Sequence, residues 1–263
     1  MISKNQIKFI HTLETKKGRT KEGTFVAEGP KVVADLMEVY APLMIFATEK
    51  WLSDTKIPEG CRCTCVTEEE LRKVSFLQHP QQVLAVFPIP GRENGGDNTV
   101  SDTNSTTNNV NEISNTELYL ALDGVQDPGN LGTIIRIADW FGVERIFCSC
   151  DTADAYNPKV VQATMGSIAR VKVEYVDLQA FLSALPTDYP VYGTFLDGED
   201  IYKKQLTKNG IVVMGNEGKG VSTGVAKLIN NRLLIPNFPK GRKTADSLNV
   251  AIATAITCSE FRR

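Results

Sequence analysis

The stretch that decides the fold is LYLALDGVQDPGNLGTIIRIADWFGV at residues 118–143. Its apolar start, 118–124, has the length and composition of a strand. A short polar loop follows, and from Leu131 to 142 the apolar residues recur at helical spacing. Strand, loop and helix in this order predict one unit of a parallel sheet, because parallel strands need a crossover connection that is usually a helix.

The same alternation continues to the end of the chain. It predicts further strands at 144–150, 170–176, 191–197, 211–218 and 232–236, and further helices at 157–168, 178–185, 220–230 and 247–261. Strands rich in Val and Ile between helices are typical of an α/β fold, here a largely parallel sheet with helices on both faces. Ligands bind such sheets at the loops beyond the carboxyl ends of the strands.

A polar segment at 91–117 divides the chain. Asn, Ser, Thr and Gly fill 18 of its 27 positions, so it buries too little apolar surface to offset its ordering entropy. Residues 1–90 show a smaller α/β pattern of their own. We therefore predict an N-terminal domain at 1–90, a flexible polar linker at 91–117 and a larger domain at 118–263.

The overall charge is close to neutral, with 29 basic and 31 acidic side chains. This balance argues against a protein that coats nucleic acid by bulk charge, but it leaves a local basic face open. The segment 91–117 carries a net charge of −4, which leaves +2 for the remainder. Two short basic clusters are either solvated surface or phosphate contacts: Lys16, Lys17 and Arg19, and Lys240, Arg242 and Lys243.

The sequence predicts a cytoplasmic protein without a membrane segment or a metal. No apolar run approaches the roughly 18 residues of a transmembrane helix, and the start lacks the apolar core of a signal peptide. Cysteines spaced two residues apart, Cys61, Cys63, Cys65 and then Cys148, Cys150, are expected to be buried free thiols in a reducing compartment. A metal site is the alternative, and neither a C-x-x-C pair nor a nearby histidine supports it.

The glycine-rich stretch MGNEGKG at 214–220 has two interpretations. Its glycines either let the backbone approach a ligand closely or serve only the turn. A P-loop is excluded, because only two residues separate Gly215 from Gly218, and Gly220 replaces the Ser or Thr that follows the P-loop Lys. A dinucleotide-binding G-x-G-x-x-G turn is also absent from the sequence.

Polar residues near two predicted helix starts also have two interpretations. Arg136 lies off the apolar stripe of its helix and three residues before Asp139, so it is either half of a surface ion pair or an anion-binding group. Asn130 and Ser247 are either N-caps or functional side chains, and Asn249 would then lie in the first turn of the last helix.

Three of these loops together resemble a known family. Residues 120–143, 212–222 and 233–256 look like the three motifs of the SpoU, or TrmH-type, RNA 2′-O-ribose methyltransferases of the SPOUT superfamily, in the family's order. Each motif alone is weak, whereas the ordered set is specific. Residues 1–90, with FVAEGPKVVADLM at 25–37, resemble the L30e-like substrate-binding domain of many members.

The resemblance implies a deep C-terminal trefoil knot, a homodimer with each site near the subunit interface, and S-adenosylmethionine as methyl donor bound in the knot. It implies that the last loops hold this cofactor at Thr194, Phe195, Leu196, Met214, Gly215, Asn216, Gly218, Ile235, Pro236, Ser247, Leu248 and Asn249. The family's polar site residues correspond to Asn130, Arg136, Glu217, Ser247 and Asn249.

The resemblance also implies an RNA substrate, with ribosomal RNA expected first and tRNA second. A ribose 2′-hydroxyl is a poor nucleophile, so the site must remove its proton and align it with the methyl group. The family proposal makes Arg136 the base. Because a guanidinium keeps its proton, the alternative is that Arg136 clamps a phosphate. The loop 237–246 is longer than is typical, and we expect Phe238 in it to stack on a base.

Overall fold

The computed structural model describes residues 1–91, 112–239 and 242–263, which form two compact units. Residues 1–91 make the first unit together with Asp154–Ala169, and the other described residues make the second. Most of the predicted linker, 92–111, lies outside the described residues, as does Lys240. In the part of the chain that is described, no helix is long and apolar enough to cross a membrane.

The first unit is a mixed four-stranded sheet with helices packed against it. Its helices are α1 (Lys4–Thr12), α2 (Lys16–Glu22), α3 (Pro30–Met37), α4 (Glu49–Asp54) and α5 (Glu68–Arg72), and its strands are β1 (Thr24–Glu28), β2 (Met44–Ala47), β3 (Arg62–Cys65) and β4 (Val83–Pro88). The strand order is β1-β4-β2-β3, with only β2 and β3 parallel. Capping boxes begin α1 at Ser3 and α5 at Thr67, where side-chain oxygens accept backbone N–H bonds.

The second unit is a six-stranded sheet in which every neighbouring pair is parallel. The strands are β5 (Leu118–Asp123), β6 (Arg145–Cys148), β7 (Lys172–Tyr175), β8 (Val191–Asp200), β9 (Gly210–Gly215) and β10 (Asn231–Leu234), in the order β10-β8-β9-β5-β6-β7. The helices of the C-terminal half are α6 (Pro128–Trp140), α7 (Pro158–Ala163), α8 (Leu178–Ser183), α9 (Thr223–Ala226) and α10 (Val250–Phe261). The predicted α/β fold with a parallel sheet is confirmed.

The largest differences between predicted and observed helix lengths occur in two helices, and turns explain both. The helix predicted at 157–168 ends at Ala163, because Gly166 has a φ of 98° that an α-helix does not allow, and a 3₁₀ turn follows at Ser167–Ala169. The helix predicted at 220–230 is reduced to α9, since Gly220 has a φ of 68° and still belongs to the preceding turn.

A segment of the C-terminal half, Asp154–Ala169, completes the first unit. Helix α7 packs on β1, and the Tyr156 ring lies 4.8 Å from the Phe25 ring, centroid to centroid. Arg19, only 1% exposed, donates from Nη2 to Asp154 Oδ2 at 2.5 Å and from Nη1 to the carbonyls of Leu13 and Glu14. The prediction that Arg19 contacts a phosphate is therefore wrong, because its guanidinium is buried and used within the unit.

Replacing Arg19 with Met should destabilise the first unit by about 3–5 kcal/mol, because the substitution leaves the Asp154 carboxylate without its buried partner. Urea unfolding followed by tryptophan fluorescence measures this, since Trp51 lies buried in the first unit and Trp140 is already exposed. Lys31→Ala is the control, because its exposed ion pair with Asp35 contributes only tenths of a kcal/mol. An Arg19→Met midpoint equal to that of Lys31→Ala would contradict the expectation.

Candidate active site

A cavity of about 520 Å³ opens at the carboxyl ends of β9 and β10, against β8 and the start of α10. Its volume lies within the range of about 300–1,000 Å³ that small-molecule sites occupy. Residues of four chain segments line it: Thr194, Phe195, Leu196, Met214, Gly215, Asn216, Glu217, Gly218, Lys219, Gly220, Val221, Leu234, Ile235, Asp246, Ser247, Leu248, Val250 and Ala253. The cavity thus lies where a parallel sheet is expected to bind its ligand.

Most residues expected to hold the cofactor line this cavity. Pro236 and Asn249 are not part of the lining. Sequence reasoning missed Lys219 and Asp246, the charged groups that line the cavity besides Glu217. Only their position between motif residues could have indicated a place in the cavity, because neither corresponds to one of the polar site residues of the family.

The loop after β9 is a tight hairpin that forms one wall of the cavity. Asn216 and Gly220 exchange backbone hydrogen bonds of 3.0 and 2.9 Å. A Cβ atom on Gly215 would lie 2.4 Å from backbone atoms of Gly220 and Val221, so only glycine fits at this position. The turn interpretation of these glycines therefore holds at Gly215, where the close approach is to the chain's own backbone.

The Asn216 side chain fixes this hairpin to the loop after β5. Its Oδ1 accepts the amides of Gly218 and Lys219, and its Nδ2 donates to the Gly124 carbonyl at 2.6 Å. The Gly124 amide in turn donates to Ser149 Oγ at 2.8 Å. The Asn216 side chain therefore has only one N–H that is not already used to join the loops. Contact with a cofactor is left mainly to the backbone of the hairpin.

Three of the predicted polar residues form one hydrogen-bonded chain. Asn249 Nδ2 donates to Asn130 Oδ1 at 2.9 Å, and Asn130 Nδ2 donates to Glu217 Oε1 at 3.0 Å. The hydrogen-bond partners fix the orientation of the Asn249 side chain. Its Oδ1 accepts the backbone amides of Ala251 and Ile252, so its Nδ2 is the atom that faces Asn130. The chain holds the Glu217 carboxylate against the start of α6, where the helix dipole favours a negative charge.

The two helices that meet at this chain lie side by side and parallel. Asn130 in the first turn of α6 contacts Asn249 at the start of α10. Near their other ends, Arg262 donates to the carbonyls of Phe141 and Gly142 at 2.8 and 3.0 Å. Hydrogen bonds at both ends therefore set the position of α10 on α6.

The capping expectations for the two helices are corrected by the structure. Asp127 is the N-cap of α6 and accepts the amide of Asn130, so Asn130 is not the cap. Asn249 is the N-cap of α10, whereas Ser247 lies two residues before it and lines the cavity. An N-cap needs extended backbone next to the first helical residue, and position 249 meets this condition with a ψ of 137°.

Arg136 is exposed on α6 and stands apart from the hydrogen-bonded chain. Within the described residues its guanidinium makes no hydrogen bond or ion pair, and the expected partner Asp139 bonds to Arg170 instead. Arg136 follows Asn130 by six residues, which at 3.6 residues per turn places the two side chains about 120° apart around the helix. The surface ion-pair interpretation is therefore wrong.

An aromatic stack borders the cavity beside β8. The Arg232 guanidinium lies over the Phe195 ring, 3.6 Å from its centroid. Arg232 Nη2 also donates to Asp197 Oδ1 at 2.6 Å, and this bond lowers the pKa of the Asp197 carboxyl. This contact fixes the ring of Phe195, which is one of the residues predicted to bind the cofactor.

The other described basic residues predicted to bind RNA, and the cysteines, do not line the cavity. Lys16, Lys17, Arg242 and Lys243 are exposed, as phosphate contact requires. The six thiols are free, but only Cys148 and Cys258 are buried, and burial raises the pKa of both. The expectation of burial is wrong for Cys63 and Cys65, because the edge strand β3 exposes their side chains, and for Cys150, which is exposed after the end of β6. Cys61, just before β3, is half-buried. No group of three metal-ligating side chains occurs among residues that the structure describes.

Comparison with known proteins agrees with this geometry. Residues 117–259 match the SpoU rRNA Methylase family. The chain belongs to this family. Residues 4–85 match the MRM3-like substrate binding domain, which agrees with the predicted role of the N-terminal part.

Relatives of the SpoU family match this chain along nearly its whole length. It is 30% identical to a 23S rRNA (guanosine(2553)-2′-O)-methyltransferase of Bacillus subtilis, over 99% of this chain and 97% of the relative. A structure from Porphyromonas gingivalis, described as an RNA methyltransferase of the TrmH family, is 38% identical with a TM-score of 0.85 and covers 100% of this chain and 98% of that one. An AdoMet-bound rRNA methyltransferase of Sinorhizobium meliloti is 29% identical with a TM-score of 0.81, over 100% and 96% of the chains.

The cavity fits S-adenosylmethionine, the cofactor of the SpoU family. Its wall combines apolar side chains such as Met214, Ile235 and Leu248 with the exposed backbone of the 216–220 hairpin. Apolar walls suit an adenine ring, and backbone N–H and C=O groups suit its polar edge and the amino acid end. Asp246 and Glu217 add negative charge that suits a sulfonium or ammonium group.

Exchanging Asn249 for Asp should separate capping from catalysis. An Asp keeps the acceptor for the α10 amides, but it cannot donate to Asn130. We expect N249D to retain stability and lose methyl transfer to total RNA at least about tenfold, while N249A also loses about 1 kcal/mol of stability. Chemical denaturation and transfer of labelled methyl groups measure the two effects.

Asn157→Asp is the matched control, since Asn157 caps α7 without contacting the cavity residues. Wild-type activity in N249D would show that the bond from Asn249 to Asn130 is dispensable.

Proposed function

We propose that this chain transfers a methyl group from S-adenosylmethionine to a ribose 2′-hydroxyl of ribosomal RNA. The observation that carries the proposal is the hydrogen-bonded chain of Asn249, Asn130 and Glu217 beside a cavity that fits the cofactor. Ribosomal RNA is favoured over tRNA because the relatives from Bacillus subtilis and Sinorhizobium meliloti, which match nearly the whole chain, carry names of rRNA methyltransferases.

S-adenosylmethionine, when bound, supplies an electrophilic methyl group on a sulfonium. The chain's own residues then have to bind the ribose, keep its hydroxyl in line and stabilise charge that develops on oxygen. Glu217 is held by Asn130 and by longer contacts of 3.4 Å from the Gln126 and Asp127 amides, so its carboxylate is fixed in place. Ser247, exposed in the lining, is free to bond to the substrate or the cofactor within the described site.

For Arg136 we favour the clamp over the base. A guanidinium keeps its proton at neutral pH and so is a poor base, while its planar fork matches a phosphate. Its exposure and the absence of a partner among the described residues leave the fork available for an RNA phosphate. A guanidinium that clamps the phosphate next to the hydroxyl would hold the ribose in place, and its positive charge would stabilise the charge that develops on the oxygen.

The proposal includes a homodimer formed through the outer face of α6 and α10. Trp140 is 85% exposed at the end of α6, and Ile252 on α10 is 53% exposed. Exposed apolar side chains on two packed helices suit burial against another surface, and an indole offers a large area for such a contact. Arg136 and Trp140 are four residues apart and share one helix face, so a second copy that covers Trp140 would meet Arg136 as well.

We also propose that the C-terminal part of the chain forms a trefoil knot and that the protein acts in the cytoplasm. Supporting the knot, β10 lies at the sheet edge outside β8, and α10 returns from there to pack on α6 and β9. The proposed ribosomal RNA substrate and the bacterial source of the Bacillus subtilis relative support the cytoplasmic location.

Arg136→Ala should lower methyl transfer at least about 100-fold, because it removes a charge that stabilises the transition state. Arg136→Lys separates the two roles of the residue. A clamp predicts partial activity with an unchanged pH profile, whereas a base predicts a profile displaced to lower pH, since Lys has the lower pKa. The rate of transfer from labelled S-adenosylmethionine to RNA from cells lacking the protein, measured across pH, checks both.

The exposed Lys227→Ala variant controls for the loss of one surface cation. Equal activity in wild type and Arg136→Ala would remove Arg136 from the mechanism, and no transfer by the wild type to any RNA would refute the proposed enzyme.

Trp140→Glu should convert the protein to a folded monomer with greatly reduced methyl transfer. Trp140 is exposed in the single chain, so a charge there leaves folding intact but opposes burial at an interface. Light scattering after size exclusion measures the mass. Tyr202→Glu, at another exposed aromatic residue, is the control. A wild-type mass in Trp140→Glu would show that this face is not the dimer interface.

A further inference from the structure

Three large apolar side chains are exposed on chain segments that line or flank the cofactor cavity. They are Leu196, Phe238 and Leu248, with exposed fractions of 77%, 89% and 51%. Single exposed apolar residues are ordinary on a protein surface, but several on the segments beside one binding cavity indicate contact with a ligand. Leu196 and Leu248 line the cavity, so a bound cofactor contacts them. Phe238 does not line the cavity, so its exposed ring is available to contact a different ligand.

The loop that carries Phe238 is closed by the side chain of Asn237. Asn237 Nδ2 donates to the Arg242 carbonyl at 3.2 Å and to Thr244 Oγ1 at 3.3 Å. The Arg242 amide also donates to the Pro239 carbonyl at 3.1 Å. These bonds join both sides of the loop, and within this closed loop the Phe238 side chain is exposed and does not line the apolar cavity.

Positive charge accompanies the exposed ring. Arg242 and Lys243 follow it in the loop, and in the described residues neither forms an ion pair. Both ends of the loop border the cavity, through Ile235 on one side and Asp246 on the other. An aromatic ring with adjacent cations is the combination that single-stranded nucleic acid binds, since bases stack on the ring and phosphates pair with the cations.

We propose that Phe238 is a stacking platform for an unpaired base next to the target ribose, and that Arg242 and Lys243 bind the phosphates flanking that base. This proposal rests on the proposed function, because it places the RNA at the mouth of the methyl-donor cavity. It assigns to the long loop 237–246 the selection of a single-stranded target, since a base inside a duplex is already stacked on its neighbours.

The test compares substitutions at Phe238 in steady-state methyl transfer to ribosomal RNA from cells lacking the protein. Phe238→Ala should raise the KM for RNA about 5- to 150-fold, the loss expected for one stacked base. Phe238→Trp should keep the KM of the wild type, and Phe238→Leu should behave like Phe238→Ala, because leucine is apolar but cannot stack. The dissociation constant for S-adenosylmethionine, measured by calorimetry, should stay the same in all three.

A spectroscopic measurement tests stacking without catalysis. Tryptophan at position 238 should lose fluorescence when a short single-stranded oligoadenylate is added, and much less with a hairpin duplex. The wild type, which contains Trp51 and Trp140, gives the background signal. Tyr202→Ala controls for loss of an exposed aromatic residue, and it should leave the KM for RNA unchanged.

Other results would overturn the proposal. An unchanged RNA KM in Phe238→Ala, or full affinity in Phe238→Leu, would exclude stacking. A change in cofactor affinity of the same size would assign Phe238 to the cofactor cavity, and a change in molecular mass would assign it to a subunit contact. A wild type that methylates no RNA would refute the proposed function instead, and the fluorescence titration would then still decide whether position 238 stacks on bases.

Discussion

The active site depends on one contact, the hydrogen bond from Asn249 to Asn130 at the start of two helices. Asn249 caps α10 with its oxygen and bonds to α6 with its nitrogen, so one amide both begins the last helix and positions it. Asn130 in turn donates a hydrogen bond to Glu217, so the position of Glu217 also depends on this contact. Since α10 and the residues before it line the cavity, cofactor binding and the polar site are linked through this amide.

Side-chain amides join the loops of the site in the same way elsewhere. Asn216 holds the 216–220 hairpin to Gly124, and Asn237 closes the loop that presents Phe238. An amide both donates and accepts without carrying charge, so it can bridge two backbone segments at low desolvation cost. In a site made of loops from distant parts of the chain, these bridges replace the regular hydrogen bonding of helices and strands.

Much of the fold could be predicted from local pattern. The parallel strands and the α6 helix follow from apolar runs and helical periodicity, and the structure confirms them. Residues Asp154–Ala169 could not be assigned to the first unit, because their pattern is the ordinary strand–helix alternation. Tertiary contacts such as the pairing of Arg19 with Asp154 show where they pack. Arg19 was misassigned for the same reason, since a buried and an exposed arginine are alike in sequence.

The sequence by itself determined the fold class, the order of the motifs and the identity of the polar residues, because these depend on residue type and spacing along the chain. Only the tertiary structure decided which of those residues meet. It joined Asn130, Glu217 and Asn249, left Arg136 exposed, and placed Lys219 and Asp246 in the cavity wall. The physical reason is that hydrogen bonds and burial act through distances of a few ångströms. Residues such as Asn130 and Asn249, which are 119 positions apart, come within that range only when the sheet and helices have packed.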